Sequence, residues 1–287
     1  MPEIGSGLAP AKINLVLEVL GKRPDGFHEI ATVFQEIELA DRVTVSLGGE
    51  GCVAASGPYA EETPRDATNL AWRAAAVLAE MAGHDVRGLS IDLVKEIPAA
   101  GGLGGGASDA AAVLRILARA WPEATPAMVQ AAATVVGSDA AFFLAGGTAF
   151  GNGRGELIAP QPALPVHDLV LFIPPFTLER KTERMFSALG KLPFDRGGAA
   201  ADFAASLPRM VSPADLFNAF ERVAWDLFPG LERLHSAVEA RIGGPVRLAG
   251  AGPTLFWIGP PGKGDAVAAV AAPLDCTVIL TRSAGGR

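Results

Sequence analysis

A run of glycines in the middle of the chain constrains the fold more than any other feature. Between Gly101 and Gly106 five of six residues are glycine, and residues 109–119 that follow have the alanine- and leucine-rich composition of a helix. The first turn of a helix leaves about four backbone N–H groups without acceptors and carries the positive end of the helix dipole. Glycines remove the Cβ atoms that would hold an anion away from those groups. The run therefore predicts a phosphate-binding loop that leads into a helix.

Two familiar nucleotide loops fit this segment less well. A Walker loop requires Lys and then Ser or Thr after its last glycine, whereas Gly106 is followed by Ala107 and Ser108. The dinucleotide fingerprint matches in part, but residues 89–95 before the run alternate between apolar and polar side chains, as half-buried strands do. No acidic residue stands on a second strand about 20 positions further on, where a ribose would need it. A strand-to-helix turn that binds nothing is the simple alternative, although one or two glycines suffice for a turn.

The amino-acid composition limits which classes of protein and of ligand are compatible with this chain. The chain has 287 residues, of which 49% are hydrophobic and 19% charged, so it can fill the core of one large or two ordinary domains. A formal net charge of −7 argues against nucleic acid as a partner, because phosphate contacts need clustered Lys and Arg. Cys52 and Cys276 form no disulfide or metal pattern, which is typical of a reducing cytoplasm. We expect no signal peptide and no membrane partner, since Ser138 and Asp139 interrupt the apolar residues 131–150.

Periodicity divides the chain into two blocks of mixed strands and helices. Strands are predicted at residues 12–19, 30–39, 42–47, 89–95, 146–150, 169–173, 246–258 and 277–280, and helices at 69–82, 109–119, 126–136, 182–189, within 214–242 and at 266–271. The proline-rich residues 160–165 are the best candidate for a linker. We therefore predict an α+β protein of two domains, residues 1–161 and 162–287.

Polar residues in apolar surroundings mark the candidates for chemistry. Lys12 and Asn14 lie two positions apart, on one face of an otherwise apolar strand. Asp139 stands at the start of an apolar helix, where it can be a cap or a base beside a transferred phosphoryl group. Phe27 and His28 follow a Pro-Asp-Gly turn and can hold a flat ring by stacking and hydrogen bonding. Taken alone, each has an ordinary structural explanation: a snorkelling lysine, a helix cap, a surface aromatic pair.

These segments, in their order along the chain, resemble the GHMP kinases. The matching segments are residues 10–15, 23–28, 98–111 and 137–140, and residues 250–252 resemble a third motif of that family. The resemblance implies a two-domain GHMP kinase fold, with an N-terminal α+β domain that carries the glycine-rich phosphate loop and a C-terminal ferredoxin-like domain. It also implies an ATP-dependent, Mg²⁺-using kinase that acts in the cytoplasm on a small-molecule alcohol. We expect such an enzyme to be a monomer or a weak homodimer.

The resemblance also assigns roles to individual residues. Lys12 and Asp139 match the catalytic pair of the family. The residues around ATP are those of the phosphate loop, Pro98, Ala99, Ala100, Gly101, Gly102, Leu103, Gly104, Gly105, Gly106, Ala107 and Ser108, with Lys95 and Asn69 near the adenine. The residues around the other substrate are Asn14, Phe27, His28, Thr182 and Phe186. The Asp-Gly-Phe-His turn implies an alcohol that carries a cytidine diphosphate group, and no side chain is assigned to a metal.

The sequence departs from the family pattern in the phosphate loop, in the third motif and in residues 178–181 before Phe186, which are unusually charged. Ala107 replaces the first of two serines that often follow the glycines, and Ala249 and Ala251 stand where Ser or Thr is usual in the third motif. Two other functions stay open: a GHMP kinase for another alcohol, mevalonate-like or homoserine-like, and a nucleotide-binding module without catalysis. The Phe-His turn argues against the first, and the presence of both catalytic residues argues against the second.

Overall fold

The computed structural model describes residues 2–48 and 51–285, except for the side chain of Cys52, so the expectation about that thiol lies outside the described part. The helices are α1 (Leu70–Ala82), α2 (Gly105–Ala120), α3 (Pro126–Val136), α4 (Ser138–Ala145), α5 (Lys181–Leu189), α6 (Ala199–Ala205), α7 (Glu221–Leu227), α8 (Leu231–Ile242) and α9 (Gly264–Ala271). The strands are β1 (Glu3–Lys22), β2 (His28–Leu47), β3 (Cys52–Ser56), β4 (Leu89–Val94), β5 (Thr148–Asn152), β6 (Leu157–Pro160), β7 (Asp168–Ile173), β8 (Phe217–Asn218), β9 (Arg247–Leu248), β10 (Leu255–Gly259) and β11 (Thr277–Arg282). Among these helices none is long and apolar enough to cross a membrane.

The chain forms two units, and it enters each of them more than once. The first comprises Met1–Ala11, Leu39–Ala99 and Gly104–Ala145, and the second comprises Lys12–Glu38, Ala100–Leu103 and Gly146–Arg287. The strands β1 and β2 and the phosphate loop therefore each contribute to both units. The division into residues 1–161 and 162–287 stays a prediction.

The first unit packs helices α1 to α4 around a small-residue core beside a sheet. In that sheet β2 pairs antiparallel with β4, and β4 pairs parallel with β3. Asn69 caps α1 by accepting the N–H of Ala71, and Gly83 ends the helix in the left-handed conformation that glycine adopts without strain. Several alanines of α1 and α2, Ala74 and Ala110 among them, are fully buried, because small side chains let helices approach closely.

The second unit holds a four-stranded antiparallel sheet in the order β11-β7-β10-β9. Its strand β7 is buried along most of its length, and Val170 and Phe172 belong to an apolar cluster with side chains of α5, α7, α8 and α9. In the same unit β5 pairs with β2 and with β6, and β8 pairs parallel with β1 at Val16. Strands and helices mix in both units, and the α+β prediction is confirmed.

Several predicted boundaries differ from the observed ones, β1 for example extending over Glu3–Lys22, and three of the differences have a local reason. The predicted break at residues 40–41 is absent because Asp41 is fully buried and accepts two backbone N–H groups, so β2 continues through it. Helix α2 begins at Gly105, four residues earlier than predicted, since its first turn uses the glycines themselves. The predicted strand 246–258 is two strands, β9 and β10, separated by a bend at residues 249–254 that reverses the chain.

Candidate active site

The second half of the phosphate loop belongs to the first unit and forms the start of α2. Gly104 has φ +79°, in the left-handed region, and the helix begins at the next residue. A Cβ on Gly105 would lie 3.2 Å from the Ile97 side chain, so the backbone here packs tightly. The hydroxyl of Ser108 is fully buried and has no hydrogen-bond partner in the part of the chain that the structure describes. N–H groups of a first helical turn beside an unsatisfied hydroxyl are a donor set that fits phosphate oxygens.

The first half of the loop belongs to the second unit and lies against a glycine bend, residues 250–252. Gly102 has φ +88°, and a Cβ built there would lie 2.1 Å from the carbonyl oxygen of Ala249. The carbonyl of Gly101 accepts the N–H of Thr254 at 3.3 Å. Only glycine at position 102 permits this approach of two backbones.

Lys12 is held in place on β1 by a chain of polar contacts. Its backbone N–H donates to the carbonyl of Leu103 at 2.9 Å, which ties β1 to the phosphate loop. Its ammonium donates to Asn14 Oδ1 at 2.7 Å, and the amide of Asn14 donates to Thr32 Oγ1 at 2.7 Å. Lys12 is only 4% exposed and Asn14 only 2%, so this is a buried, oriented charge rather than a snorkelling surface lysine. A Cβ on Gly250 would lie 3.1 Å from the ammonium, so the glycine bend leaves room for it.

Asp139 lies in the first turn of α4, in the first unit, and is half-buried. This turn carries the positive end of the dipole of α4. A carboxylate that is partly accessible and electrostatically held is suited to accept a proton from a hydroxyl group. Its role as a base stays a prediction.

The Phe-His turn and helix α5 come together in the second unit. The His28 ring stacks on Phe186 with centroids 4.6 Å apart and an angle of 16° between the ring planes. Burial, with a smaller contribution from Lys22, lowers the pKa of His28, so the imidazole is neutral at pH 7. Thr182 is exposed one turn before Phe186, which places both on one face of α5. The structure thus brings together His28 and Phe186, two of the residues predicted to bind the cytidine group, and Thr182 lies on the same helix as Phe186.

Phe27 lies beside a residue that the sequence analysis did not single out. Its ring is half exposed, at 51%, and the guanidinium of Arg154 lies 4.6 Å from the ring centroid. The backbone N–H of Phe27 donates to Asp25 Oδ1 at 3.1 Å, which fixes the turn. Arg154 covers one face of the ring, which leaves the opposite face for stacking on a base.

The two residues predicted near the adenine are engaged within the protein. The Asn69 amide caps α1 and donates to the carbonyl of Pro64 at 2.7 Å. The Lys95 ammonium lies buried between the carboxylates of Asp41 and Asp109. Burial lowers the pKa of Lys95, but the charges of Asp109 and Asp41 outweigh burial and raise it above its ordinary value. Contacts of Lys95 and Asn69 with adenine stay predictions.

The buried cluster of Lys95, Asp41 and Asp109 lies directly beneath the start of α2. Asp109 Oδ1 has no hydrogen-bond partner among the described residues, and burial raises the pKa of this carboxyl to about 7, against the pull of Lys95. One ammonium faces two carboxylates, so protonation of Asp109 leaves the cluster neutral. Sequence reasoning missed both aspartates; the signal was Asp41 inside an apolar strand pattern. In residues 2–48 and 51–285 no group of three or more His, Cys, Asp or Glu is arranged to hold a metal ion.

Comparison with known proteins agrees with this geometry. The model of the GHMP kinases N-terminal domain matches residues 69–147, which include α1, the phosphate loop and α4. The chain is 37% identical to a 4-diphosphocytidyl-2-C-methyl-D-erythritol kinase of Shouchella clausii, over 87% of this chain and 84% of that protein. It is 36% identical to the protein of the same name from Gloeobacter violaceus, over 96% of this chain and 94% of that one. A solved structure, described as the crystal structure of 4-(cytidine 5'-diphospho)-2C-methyl-D-erythritol kinase, superposes with a TM-score of 0.77 and 33% identity, covering 98% of this chain and 100% of that one.

Proposed function

The chain belongs to the 4-diphosphocytidyl-2-C-methyl-D-erythritol kinases of the GHMP kinase family, and on that premise we propose that it transfers the γ-phosphoryl group of ATP to the 2-hydroxyl of 4-diphosphocytidyl-2-C-methyl-D-erythritol. This reaction serves the non-mevalonate synthesis of isoprenoid precursors. The observation that carries the proposal is the buried, oriented ammonium of Lys12, whose own backbone N–H is bonded to the phosphate loop at Leu103. Unlike buried Lys95, which lies between two carboxylates, the Lys12 ammonium donates to a neutral amide oxygen, so this hydrogen bond orients its charge without neutralising it.

The residues of the loop support binding of ATP. The first turn of α2 and the buried Ser108 hydroxyl offer donors to phosphate oxygens, and the glycines keep Cβ atoms out of their way. When bound, ATP supplies the phosphoryl group and Mg²⁺ neutralises its charge. We propose that the metal is held chiefly through the phosphates, because the described part of the chain offers no cluster of acidic or histidine ligands.

Phosphoryl transfer needs little covalent chemistry from the protein, only positioning and stabilisation of charge. We assign Asp139 the role of orienting the acceptor hydroxyl and accepting its proton. We assign Lys12 the role of stabilising the negative charge that develops on the transferred group. Asn14 keeps the Lys12 ammonium at a fixed position through their 2.7 Å hydrogen bond.

We name the residues Phe27, His28, Thr182 and Phe186 the cytidine site. Neutral His28 carries one ring nitrogen that donates and one that accepts, which suits the edge of a pyrimidine base. The half-exposed ring of Phe27 offers an apolar face on which a base can stack, and Phe186, already stacked on His28, holds the imidazole in place. A site that hydrogen-bonds a base edge rejects analogues that leave its polar groups unpaired, so this site favours cytidine over uridine.

We further propose that the enzyme acts in the cytoplasm, as a monomer or a weak homodimer, with a small molecule and not a nucleic acid as its partner. The net charge of −7 and the sparse cysteines support this setting.

Product analysis tests the proposed reaction. The purified protein, incubated with ATP, Mg²⁺ and 4-diphosphocytidyl-2-C-methyl-D-erythritol, should release ADP and one product whose new phosphate couples, in ³¹P–¹³C correlation, to the carbon bearing the 2-hydroxyl. Asp139→Asn serves as the matched control for contaminating kinases. A phosphate on a different carbon, or product formed equally by the control, contradicts the proposal.

A further inference from the structure

Helix α5 contacts both the cytidine site and the phosphate loop. Near its C-terminal end Phe186 stacks on His28. At its first residue the ammonium of Lys181 donates to the carbonyl of Ala100 in the phosphate loop and to the carbonyl of Gly252 in the glycine bend, both at 2.5 Å. The two residues are five positions apart, about 7.5 Å along the helix axis, and belong to one continuous helix.

The contact with Ala100 fixes a strained part of the loop. Ala100 has φ +52°, in the left-handed region that residues other than glycine rarely adopt, so surrounding contacts must hold it there. In a trans peptide unit the carbonyl and the following N–H point in opposite directions. By holding the Ala100 oxygen, Lys181 therefore fixes the direction of the Gly101 N–H, a donor of the phosphate loop.

The contact with Gly252 ties the same ammonium to the segment on which the loop rests. A Cβ at Gly102 has no space against Ala249, and Thr254 donates to Gly101, so loop and bend already pack backbone to backbone. From the start of α5, Lys181 donates hydrogen bonds to both the phosphate loop and the glycine bend. A shift of α5 thus changes the loop and the bend together.

We propose that Lys181 is a positioning residue that couples the two substrate sites: occupation of the cytidine site fixes α5, and through Lys181 this sets the phosphate loop in the conformation that binds ATP. The inference rests on the proposed function. Coupling of this kind is reciprocal, so ATP tightens binding of the cytidine substrate by the same factor. Lys181 itself touches neither the base nor the reacting atoms in this account.

The test measures binding of β,γ-imido-ATP with Mg²⁺ to the full chain by calorimetry, with and without saturating 4-diphosphocytidyl-2-C-methyl-D-erythritol. We expect the cytidine substrate to tighten nucleotide binding by about five- to 150-fold in the unaltered protein. In Lys181→Met this factor should fall to about one, while the affinity for the cytidine substrate alone stays within about twofold, because Phe186 and His28 are unchanged. Lys181→Arg, which keeps the charge and the N–H donors, should restore part of the factor.

Lys191→Met is the matched control, since Lys191 is an exposed lysine directly beyond the other end of α5. It should keep the full coupling factor. A factor of one in the unaltered protein, or an unchanged factor in Lys181→Met, overturns the inference and leaves the proposed function standing. No binding of the cytidine substrate at all overturns both, so the two failures are distinguishable.

Discussion

The two residues to which we assign the chemistry, Lys12 and Asp139, owe their properties to their surroundings rather than to their type. Lys12 is an ordinary lysine by sequence, but on β1 it is buried, hydrogen-bonded to Asn14 and tied to the phosphate loop at Leu103. Asp139 could be an ordinary helix cap, but it lies half-buried at the positive end of α4. For each residue, a substitution can distinguish the proposed catalytic role from an ordinary structural one.

Asp139→Asn removes the proton acceptor and keeps the size of the side chain. We expect kcat to fall by roughly 10²–10⁴, the usual contribution of a positioned acid–base group, with little change in the KM for ATP. Steady-state kinetics with both substrates varied checks this. Activity close to that of the unaltered protein would identify Asp139 as a cap and assign the chemistry to another group.

His28→Ala removes the polar edge of the cytidine site and one member of the stack with Phe186. We expect the KM for the cytidine substrate to rise far more than the KM for ATP. The preference for the cytidine over the uridine form should also shrink, because the variant no longer leaves a polar group unpaired against uridine. Competition between the two forms measures this preference in both proteins. Equal use of both by the unaltered protein contradicts the role given to His28.

At the scale of elements, the start of α2 rests on the buried cluster of Lys95, Asp41 and Asp109. Asp41 accepts the N–H groups of Glu96 and Ile97 in addition to the ammonium, so it joins β2 to the segment before the loop. Asp109 has one oxygen without a partner among the described residues, and burial raises its pKa to about 7. The two carboxylates therefore differ in their hydrogen bonding, although both contact the Lys95 ammonium.

Paired substitutions should reveal this inequality. Asp41→Asn should destabilise the fold by about 3–5 kcal/mol, because it leaves Lys95 with its weaker partner and puts an amide N–H₂ against donors. Asp109→Asn should cost about 1 kcal/mol or less, since near neutral pH the carboxyl already carries a proton part of the time and the Asp41–Lys95 pair remains neutral. Urea denaturation at pH 7 measures both. Equal losses of stability in the two variants would contradict the conclusion that Asp109 carries a proton part of the time near pH 7.

Helices and strands could be predicted where the residues next to each other in sequence determine them. They could not be predicted where contacts between distant residues determine them. The helical periodicity of α1 and the glycine run before α2 identified both helices, because caps and phosphate-loop glycines are local signals. Asp41 led to a false break in β2, since nothing near it in sequence reveals that its partners are Lys95 and two backbone N–H groups. Lys181 escaped notice for the same reason: its acceptors lie 81 and 71 residues away.

At the scale of the whole molecule, one buried histidine makes the folding free energy depend on pH. The backbone N–H of Val211 donates to His167 Nε2 at 2.9 Å, so Nε2 carries no proton and Nδ1 donates to the carbonyl of Pro165 at 2.6 Å. Burial lowers the pKa of His167 below its ordinary 6.5. As pH falls below about 6.5 the unfolded chain takes up a proton that the folded protein still excludes, so this stability is complete above that pH and is lost below it.

His167→Gln should remove the loss of stability that this histidine causes between pH 7 and 5, even if the variant is less stable at pH 7. The raised pKa of Asp109 contributes a pH dependence of opposite sign, which both proteins keep. His84→Gln, at a surface histidine paired with Glu123, is the control and should keep the original slope. Denaturant titrations at three pH values give the comparison. A slope unchanged in His167→Gln would show that another group dominates the acid sensitivity.

The central claim is that this chain is a kinase for a cytidine-bearing alcohol, and parallel turnover with different acceptors tests it most directly. ADP release is measured with ATP and Mg²⁺ and one of four additions: 4-diphosphocytidyl-2-C-methyl-D-erythritol, mevalonate, homoserine, or no acceptor. The account predicts turnover with the first that exceeds the other three by orders of magnitude, and that Asp139→Asn lowers by roughly 10²–10⁴. Preferred turnover of mevalonate or homoserine, or no acceptor-dependent turnover at all from a folded protein that binds ATP, would contradict it.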